Sequence, residues 1–425
     1  MEESPLGKMN VLIYGGKAAG AREYALVNMA IRSPMTDQVF SVGSNAGLTQ
    51  LDGCECQEQP DSHDEVVTIC RDLKIDLVIV GPEAPLATGL ADTLRAADIA
   101  TFGPNQVAAQ LETSKEWAVD FMGRNNVPTA KTFTFNSQTT AEECLSQVVC
   151  WPVVVKYSGL AGGKGVDICH NWEQGLTALK RHYDKEPQAT VLIQEFLPDN
   201  PAMKRSEISV HVVVSGSTYK ILPTAQDYKP RFDGDKGDMT GGMGANGPTT
   251  DVDMERIENE IIKPTVDGLV AEGISYNGVI YFGLKVCPEG PKVVEYNVRF
   301  GDPEMVIIDM LVTSDLLPLL CAAAKGEDVS GMEVECFDGH ACGVVIVNKA
   351  YPGKGKACAL PPHLQQPGFY HAATRLENKV VVADGGRIGV LGFRRGTPEA
   401  AGSAVYDVIA QGDLGELACR SDISA

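Results

Sequence analysis

Glu295, Asn297 and Arg299 stand two residues apart in the stretch VEYNVRFGDPE, a spacing that puts all three on one face of an extended strand. A carboxylate and an amide oxygen so placed suit Mg2+, a hard cation that takes few protein oxygens and fills its other positions with water and substrate phosphates. A guanidinium beside them can offset charge developing on a phosphoryl group in transfer. Gly301-Asp302-Pro303 then ends the strand, leaving the three side chains at an edge rather than in a core.

Two glycine-rich stretches carry compatible chemistry. KYSGLAGGKG, Lys156 to Gly165, lies between two apolar strand-like runs. It lacks the GxxxxGK[ST] spacing of a P-loop. A loop between antiparallel strands can instead fold over phosphates, with backbone N–H groups as donors and Lys156 and Lys164 as counter-charges; a plain mobile hairpin is the alternative. GDKGDMTGGMGANGP (234–248) is bare enough for its backbone to approach a ligand where side chains would collide. VLIQEFLP supplies a strand whose edge can hydrogen-bond a purine through Gln194 or Glu195 and the Leu197 backbone, an ordinary strand end being the alternative.

The chain of 425 residues is long enough for two to four domains. Its net charge of −20 speaks against nucleic acid as a partner but leaves room for a phosphorylated small molecule held locally. No apolar run reaches the length of a membrane helix, and MEESPLGKMN does not read as an export signal. The twelve cysteines show no zinc spacing, Cys54 and Cys56 forming a lone CxC. Free thiols point to a cytoplasmic protein.

These residues need a scaffold, and the hydrophobic pattern supplies one. After a disordered lead-in (1–9), strand runs at 11–14, 39–43, 76–80 and 99–103 alternate with helical segments, predicting an α/β domain with a parallel sheet over 10–113. GSNAG and GPEAPL each follow a strand, where such sheets bind ligands. An α+β lobe is expected over 114–198, a larger strand-rich lobe with the GGMGA loop and metal site over 199–335, and a β-rich cap over 336–425.

Collinear stretches from about residue 10 onward, among them GPEAPLATGLADTLRAA, VVVKYSGLAGGKGV, DGDKGDMTGGMGANGP and VEYNVRFGDPE, resemble the ATP-grasp superfamily and, within it, the glycinamide ribonucleotide synthetase family. The resemblance implies a two-lobed ATP-grasp core behind a parallel-sheet domain, acting as an ATP- and Mg2+- (or Mn2+-) dependent ligase. Such an enzyme would join glycine to 5-phosphoribosylamine through an acyl phosphate, giving glycinamide ribonucleotide, ADP and phosphate, as a monomer or homodimer. It implies that Lys115, Lys156 and Lys164 hold the ATP phosphates, and that Gln194, Glu195, Leu197 and Glu207 serve the nucleotide. Glu295 and Asn297 would bind the metal, while Arg299, Lys156, Gly242 and Gly244 would act in catalysis. Substrate contacts are implied for Gly20, Arg22, Glu23, Asn45, Gly81, Pro82, Glu83, Asp227, Gly241 and Met243.

The sequence departs from the family pattern chiefly where the substrates are expected. The turn GGKAAGAREY is longer, with Ala21 for a glycine and Tyr24 for a histidine; it leads into a helix N-terminus, a seat for a substrate phosphate. Tyr228 replaces a histidine, Ser158 an aspartate, and Met305-Val306 a Thr-Gln pair. Two further readings stay open on this ground: a paralogue acting on another amine and amino acid, and a nucleotide-binding regulator without catalysis.

Overall fold

The computed structural model describes residues 8–159 and 165–424. Lys164 and most of its glycine loop lie outside the described residues, as do most of the residues read as a lead-in; the first strand begins at Met9.

The first sheet has five parallel strands in the spatial order Cys54–Gln57, Thr36–Val42, Met9–Tyr14, Leu77–Val80, Ala100–Phe102. Its central strands are buried on both faces, which explains their unbroken apolar runs. The order reverses between Met9–Tyr14 and Leu77–Val80, and the turns following these two strands flank that switch point. The short edge strand Cys54–Gln57 was not foreseen: Cys54 and Cys56 do alternate with polar residues and pack on the core, but four residues are too short a run to stand out. The helix expected over 86–97 is broken at Gly89, whose φ of +84° no helix tolerates, into Glu83–Ala87 and Leu90–Ala96.

A small lobe follows, with an antiparallel sheet ordered Thr132–Phe135, Val191–Glu195, Val153–Tyr157, Val166–Cys169. Helices Gln138–Ser146 and Trp172–Lys185 cover one face, burying Val153, Val155, Val191 and Ile193. The alternate residues Val154, Lys156, Leu192 and Gln194 therefore face away from these helices and line a cavity. One lobe face is core, and the other is a binding surface.

Opposite lies a second antiparallel sheet, ordered Thr218–Ile221, Glu207–Ser215, Asn277–Cys287, Gly290–Asn297. Gly290–Asn297 is its edge strand, and it stops at Asn297, so Arg299 sits in the bend beyond. A third large sheet joins Gln226–Asp227 and Gly244–Gly247 to His340–Asn348, Arg387–Arg395 and Phe369–His371. Strands from both sides of residue 336 thus share one sheet, with helix Glu304–Leu311 contacting it as well. Among the described residues no helix is long and apolar enough to cross a membrane.

Candidate active site

A cavity of about 500 Å3 lies between the small lobe, the edge strand Gly290–Asn297 and the switch point of the parallel sheet. At the small-lobe end Lys115 and Lys156 enter it, their ammonium groups donating to the Gly159 carbonyl at 3.1 Å and the Val294 carbonyl at 3.2 Å. Burial lowers both lysine pKa values, that of Lys156 to about 8, so these cations lack water and favour an anionic partner. Gln194, Glu195 and Leu197 all reach the wall. The Gln194 amide donates to Thr132 Oγ1 at 2.6 Å, and the Glu195 carboxylate accepts the Lys131 N–H at 3.0 Å. Glu207 lines the cavity and pairs with Lys285 at 3.2 Å.

In the middle stand Glu295 and Asn297. Lys229 donates to Glu295 at 3.1 Å and lies 3.7 Å from Asp227. Attraction to Lys229 outweighs burial and draws the Glu295 carboxyl down to about 2, so it is anionic at any ordinary pH. Burial opposes the charge on Lys229, yet Asp227 and Glu295 carry its pKa well above the usual value. Arg299 donates to the Asn297 amide oxygen at 3.0 Å and pairs with Glu83 at 3.3 Å and Glu112 at 2.9 Å. Glu295 and Asn297 offer two hard oxygens, and no group of three or more His, Cys, Asp or Glu among the described residues is placed to hold a metal. That donor set fits a divalent cation completing its shell with substrate oxygens and water, rather than one caged by protein.

At the far end the turn after Leu77–Val80 contributes Pro82 and Glu83, and helix Ala21–Arg32 contributes Arg22. Gly20, Glu23, Asn45 and Gly81 do not line the cavity, and each has a structural task. Glu23 caps its own helix, accepting the Gly20 N–H at 2.7 Å and Arg22 Nε at 2.7 Å. A side chain at Gly81 would strike the Glu23 carboxylate. At this helix N-terminus the Gly20 N–H is thus met by the chain's own carboxylate, the charge such a terminus favours. Asn45 is buried, its amide oxygen accepting the Leu48 N–H and its Nδ2 donating to the Ala19 and His371 carbonyls.

The glycine loop also divides. Gly241 reaches the cavity with Thr240, whereas Gly242, Met243 and Gly244 do not. Met243 is fully buried in the apolar core, so the substrate contact read for it is not made by its side chain. Gly244 is bare because its strand packs against Gly343 and Ile423, where a Cβ would come within 2.8 Å of the Gly343 carbonyl oxygen. Gly242 has φ +112°, and a Cβ there would meet Pro303 at 2.8 Å. The glycines thus serve a tight turn and a close strand pairing, with ligand approach left to Thr240 and Gly241.

Sequence reasoning missed Lys229, Glu112, Glu304 and Arg387. Glu304 is buried beside Asp227, accepts the Tyr281 hydroxyl at 3.1 Å, and is raised to about 7 by burial and then by Asp227. Arg387 donates to the Gly241 carbonyl at 2.7 Å, the Asp302 carbonyl at 2.6 Å and the Asp302 carboxylate at 3.1 Å. All four stood in stretches that carry the family resemblance, AQDYK, QLETSK, VEYNVRFGDPE and GGRIGVLGF, but nothing in their local spacing singled them out.

Models of the phosphoribosylglycinamide synthetase N domain and ATP-grasp (A) domain match residues 9–112 and 113–305. The chain belongs to the phosphoribosylglycinamide synthetase family. A phosphoribosylamine–glycine ligase of Agrobacterium fabrum is 37% identical over 98% of this chain and 98% of its own length. The crystal structure of a phosphoribosylamine–glycine ligase of Thermotoga maritima superposes with a TM-score of 0.81 at 28% identity, covering 97% of this chain and 99% of that one. A biotin carboxylase of Campylobacter jejuni shares the fold, with a TM-score of 0.69 at 15% identity over 97% of this chain and 92% of that one.

Against this family, Tyr24, Ser158, Tyr228, Met305 and Val306 fall outside the cavity wall, while the longer turn at 15–24 leads to Arg22 on it. Tyr24 packs on Tyr370 and His371, between the first domain and the cap. Ser158 accepts the Glu116 N–H with its hydroxyl, at the start of helix Lys115–Arg124. Met305 and Val306 are fully buried in a core helix. Tyr228 is buried between strands, its hydroxyl accepting from Asn246 at 2.9 Å. These are packing positions, and the chemical wall of the synthetase family pattern stands beside them.

Proposed function

We infer that this protein is an ATP-dependent ligase that joins glycine to 5-phosphoribosylamine, giving glycinamide ribonucleotide, ADP and phosphate. The carrying observation is that one cavity runs from two desolvated lysines, past the Glu295–Asn297 oxygen pair, to Arg22 and the Pro82–Glu83 turn at the switch point of the parallel sheet. Lys115 and Lys156 neutralise the triphosphate, and the strand from Gln194 to Leu197 borders the base. Glu295 and Asn297 hold the divalent cation, Mg2+ on this reading, which supplies charge neutralisation on the transferring phosphoryl group.

The glycine carboxylate attacks the γ-phosphorus, and ADP leaves as the acyl phosphate forms. Arg299, fixed by Glu83 and Glu112, presents its guanidinium to the charge that accumulates there. The amine then attacks the acyl carbon, and inorganic phosphate leaves. No covalent enzyme intermediate is needed; the chain's task is to align the reactants and to exclude water. The free cysteines among the described residues fit a reducing, cytoplasmic setting.

The paralogue reading rested on the longer turn at 15–24 and on Tyr228; Tyr228 is a packing position, and the turn leads to Arg22 on the cavity wall, so the choice of amine is what the experiment must decide. The test is ADP release from purified protein with Mg-ATP, glycine and freshly generated phosphoribosylamine, each omitted in turn. Release that requires both substrates, with glycinamide ribonucleotide detected by mass, supports the reading. Release with another amine in preference would move it to the paralogue.

A further inference from the structure

Arg420 is a cation that the cavity chemistry leaves unused. Its side chain is 0% exposed. A guanidinium stays charged in proteins, so complete burial demands partners on every side. Asp422 takes two parallel bonds, from Nε and Nη2, both at 2.7 Å. The remaining partners lie far earlier in the chain: Nη1 donates to the Pro230 carbonyl at 3.0 Å and the Asp235 carboxylate at 2.9 Å. The guanidinium also sits 5.1 Å from the centroid of the Tyr228 ring, against which Arg205 packs at 4.0 Å. Nearby residues fasten the same region. The Ser421 N–H donates to Asp233 at 2.9 Å, the Gly234 N–H to Asp422 at 2.9 Å, and the Ser424 N–H to the Tyr228 hydroxyl at 3.1 Å.

What is gripped is the hairpin Pro230–Phe232 and Lys236–Met239. Its two ends are Lys229 and Thr240, and both line the cavity. The Thr240 N–H and hydroxyl donate to the Lys229 carbonyl at 3.0 Å and 2.6 Å, so the ends move together. Lys229 in turn holds Glu295.

We propose that Arg420 is a positioning residue of this site: from outside the cavity it fixes the hairpin that sets Lys229 against Glu295 and presents Thr240 and Gly241 at the acceptor end. Its kinetic consequence rests on the ligase reading; its structural consequence does not.

The test uses the full chain carrying Arg420→Lys, which keeps the charge but loses the planar fork, and Asp235→Asn, which weakens the hairpin contact at a half-exposed carboxylate; since Asp235 also pairs with Arg205 at 2.7 Å, Arg205→Ala is the control for that second partner. Amide exchange is followed at Tyr228, Thr240 and Met243, whose N–H groups close the base of the hairpin on Gly244, Lys229 and Tyr228. Both variants are expected to exchange faster there, with helix Trp172–Lys185 unchanged. The kcat/KM for the amine should fall by about tenfold to a hundredfold while the Kd for ATP stays put. Unchanged exchange at the three amides in a folded variant overturns the proposal. So does a fall in kcat that only tracks the unfolded fraction, with every KM intact. If Arg420→Lys does not fold, Asp235→Asn decides, read against Arg205→Ala: faster exchange equal in both would assign the effect to Arg205 and overturn the proposal. If wild-type protein releases no ADP, the ligase reading fails, and the exchange data still judge the positioning role.

Discussion

Glu295 and Asn297 stand at the end of an edge strand, Asn297 buried and bonded to Arg299, and Glu295 held anionic by a lysine that keeps Asp227 as a second partner. Glu295→Gln and Asn297→Ala are expected to cut turnover by about a hundredfold or more at temperatures where each variant is still folded, with Glu295→Gln also lowering the melting temperature because it removes the charge that Lys229 favours. Thermal melts beside ADP-release rates check this, and turnover surviving in both variants would remove the metal role. Lys156 leads to a pH prediction. Without ligand its pKa is lowered to about 8 by burial, so above that pH much of the protein carries it neutral. The triphosphate favours the charged form, so ATP binding at pH 9 should take up close to one proton, and at pH 6.5 almost none. Calorimetry in buffers of different ionisation enthalpy reads the number. These residues were legible because a period of two and a glycine loop are local patterns. Glu112 and Arg387 were not, since their importance comes from contacts made across the fold.

The strand Glu207–Ser215 shows what an element contributes beyond its own face. His211, fully buried at its centre, accepts the Gly301 N–H on Nε2 at 3.0 Å and stacks on Phe300, steadying the bend that carries Arg299. Burial, and then the nearby Arg299, lower its pKa to about 3. The folded protein therefore keeps His211 neutral where the unfolded chain, near its ordinary value of about 6.5, binds a proton. This position imposes no loss of stability above that pH. Below it, stability falls by about 1.4 kcal/mol per pH unit until the folded-state value is approached. His211→Gln, which retains an acceptor, should show a shallower loss between pH 6 and pH 4 in denaturant titrations; equal slopes would refute the assignment. The strand itself was plain from EISVHVVVS, and so were the alternating runs of the small lobe. The break at Gly89 and the end of the edge strand at Asn297 were not, because each depends on backbone geometry fixed by neighbours.

At the scale of the molecule, the expected cap is no separate lid. Strands Gln226–Asp227 and Gly244–Gly247 hydrogen-bond into the sheet that also holds Arg387–Arg395, so the glycine turn is built on it. No pattern within 336–425 announces this, since sheet partners so distant in sequence share no local signal. Arg387 carries the connection into the cavity: one guanidinium spans the Gly241 carbonyl on the turn and both the carbonyl and carboxylate of Asp302 after the edge strand. Arg387→Lys keeps the charge but replaces a planar fork with a single point of donation, which cannot satisfy both segments at once. Lys115 and Lys156, which the ligase reading gives to the triphosphate, hydrogen-bond to the Gly159 and Val294 carbonyls, whereas Arg387 bonds to Gly241 and Asp302. On the ligase reading, kcat/KM for the amine should drop by at least about tenfold, with ATP affinity unchanged. Steady-state rates against each substrate, beside ATP titration of the same variant, separate the effects. An equal loss of ATP affinity would mean that the cap supports the fold of the whole cavity rather than its acceptor end.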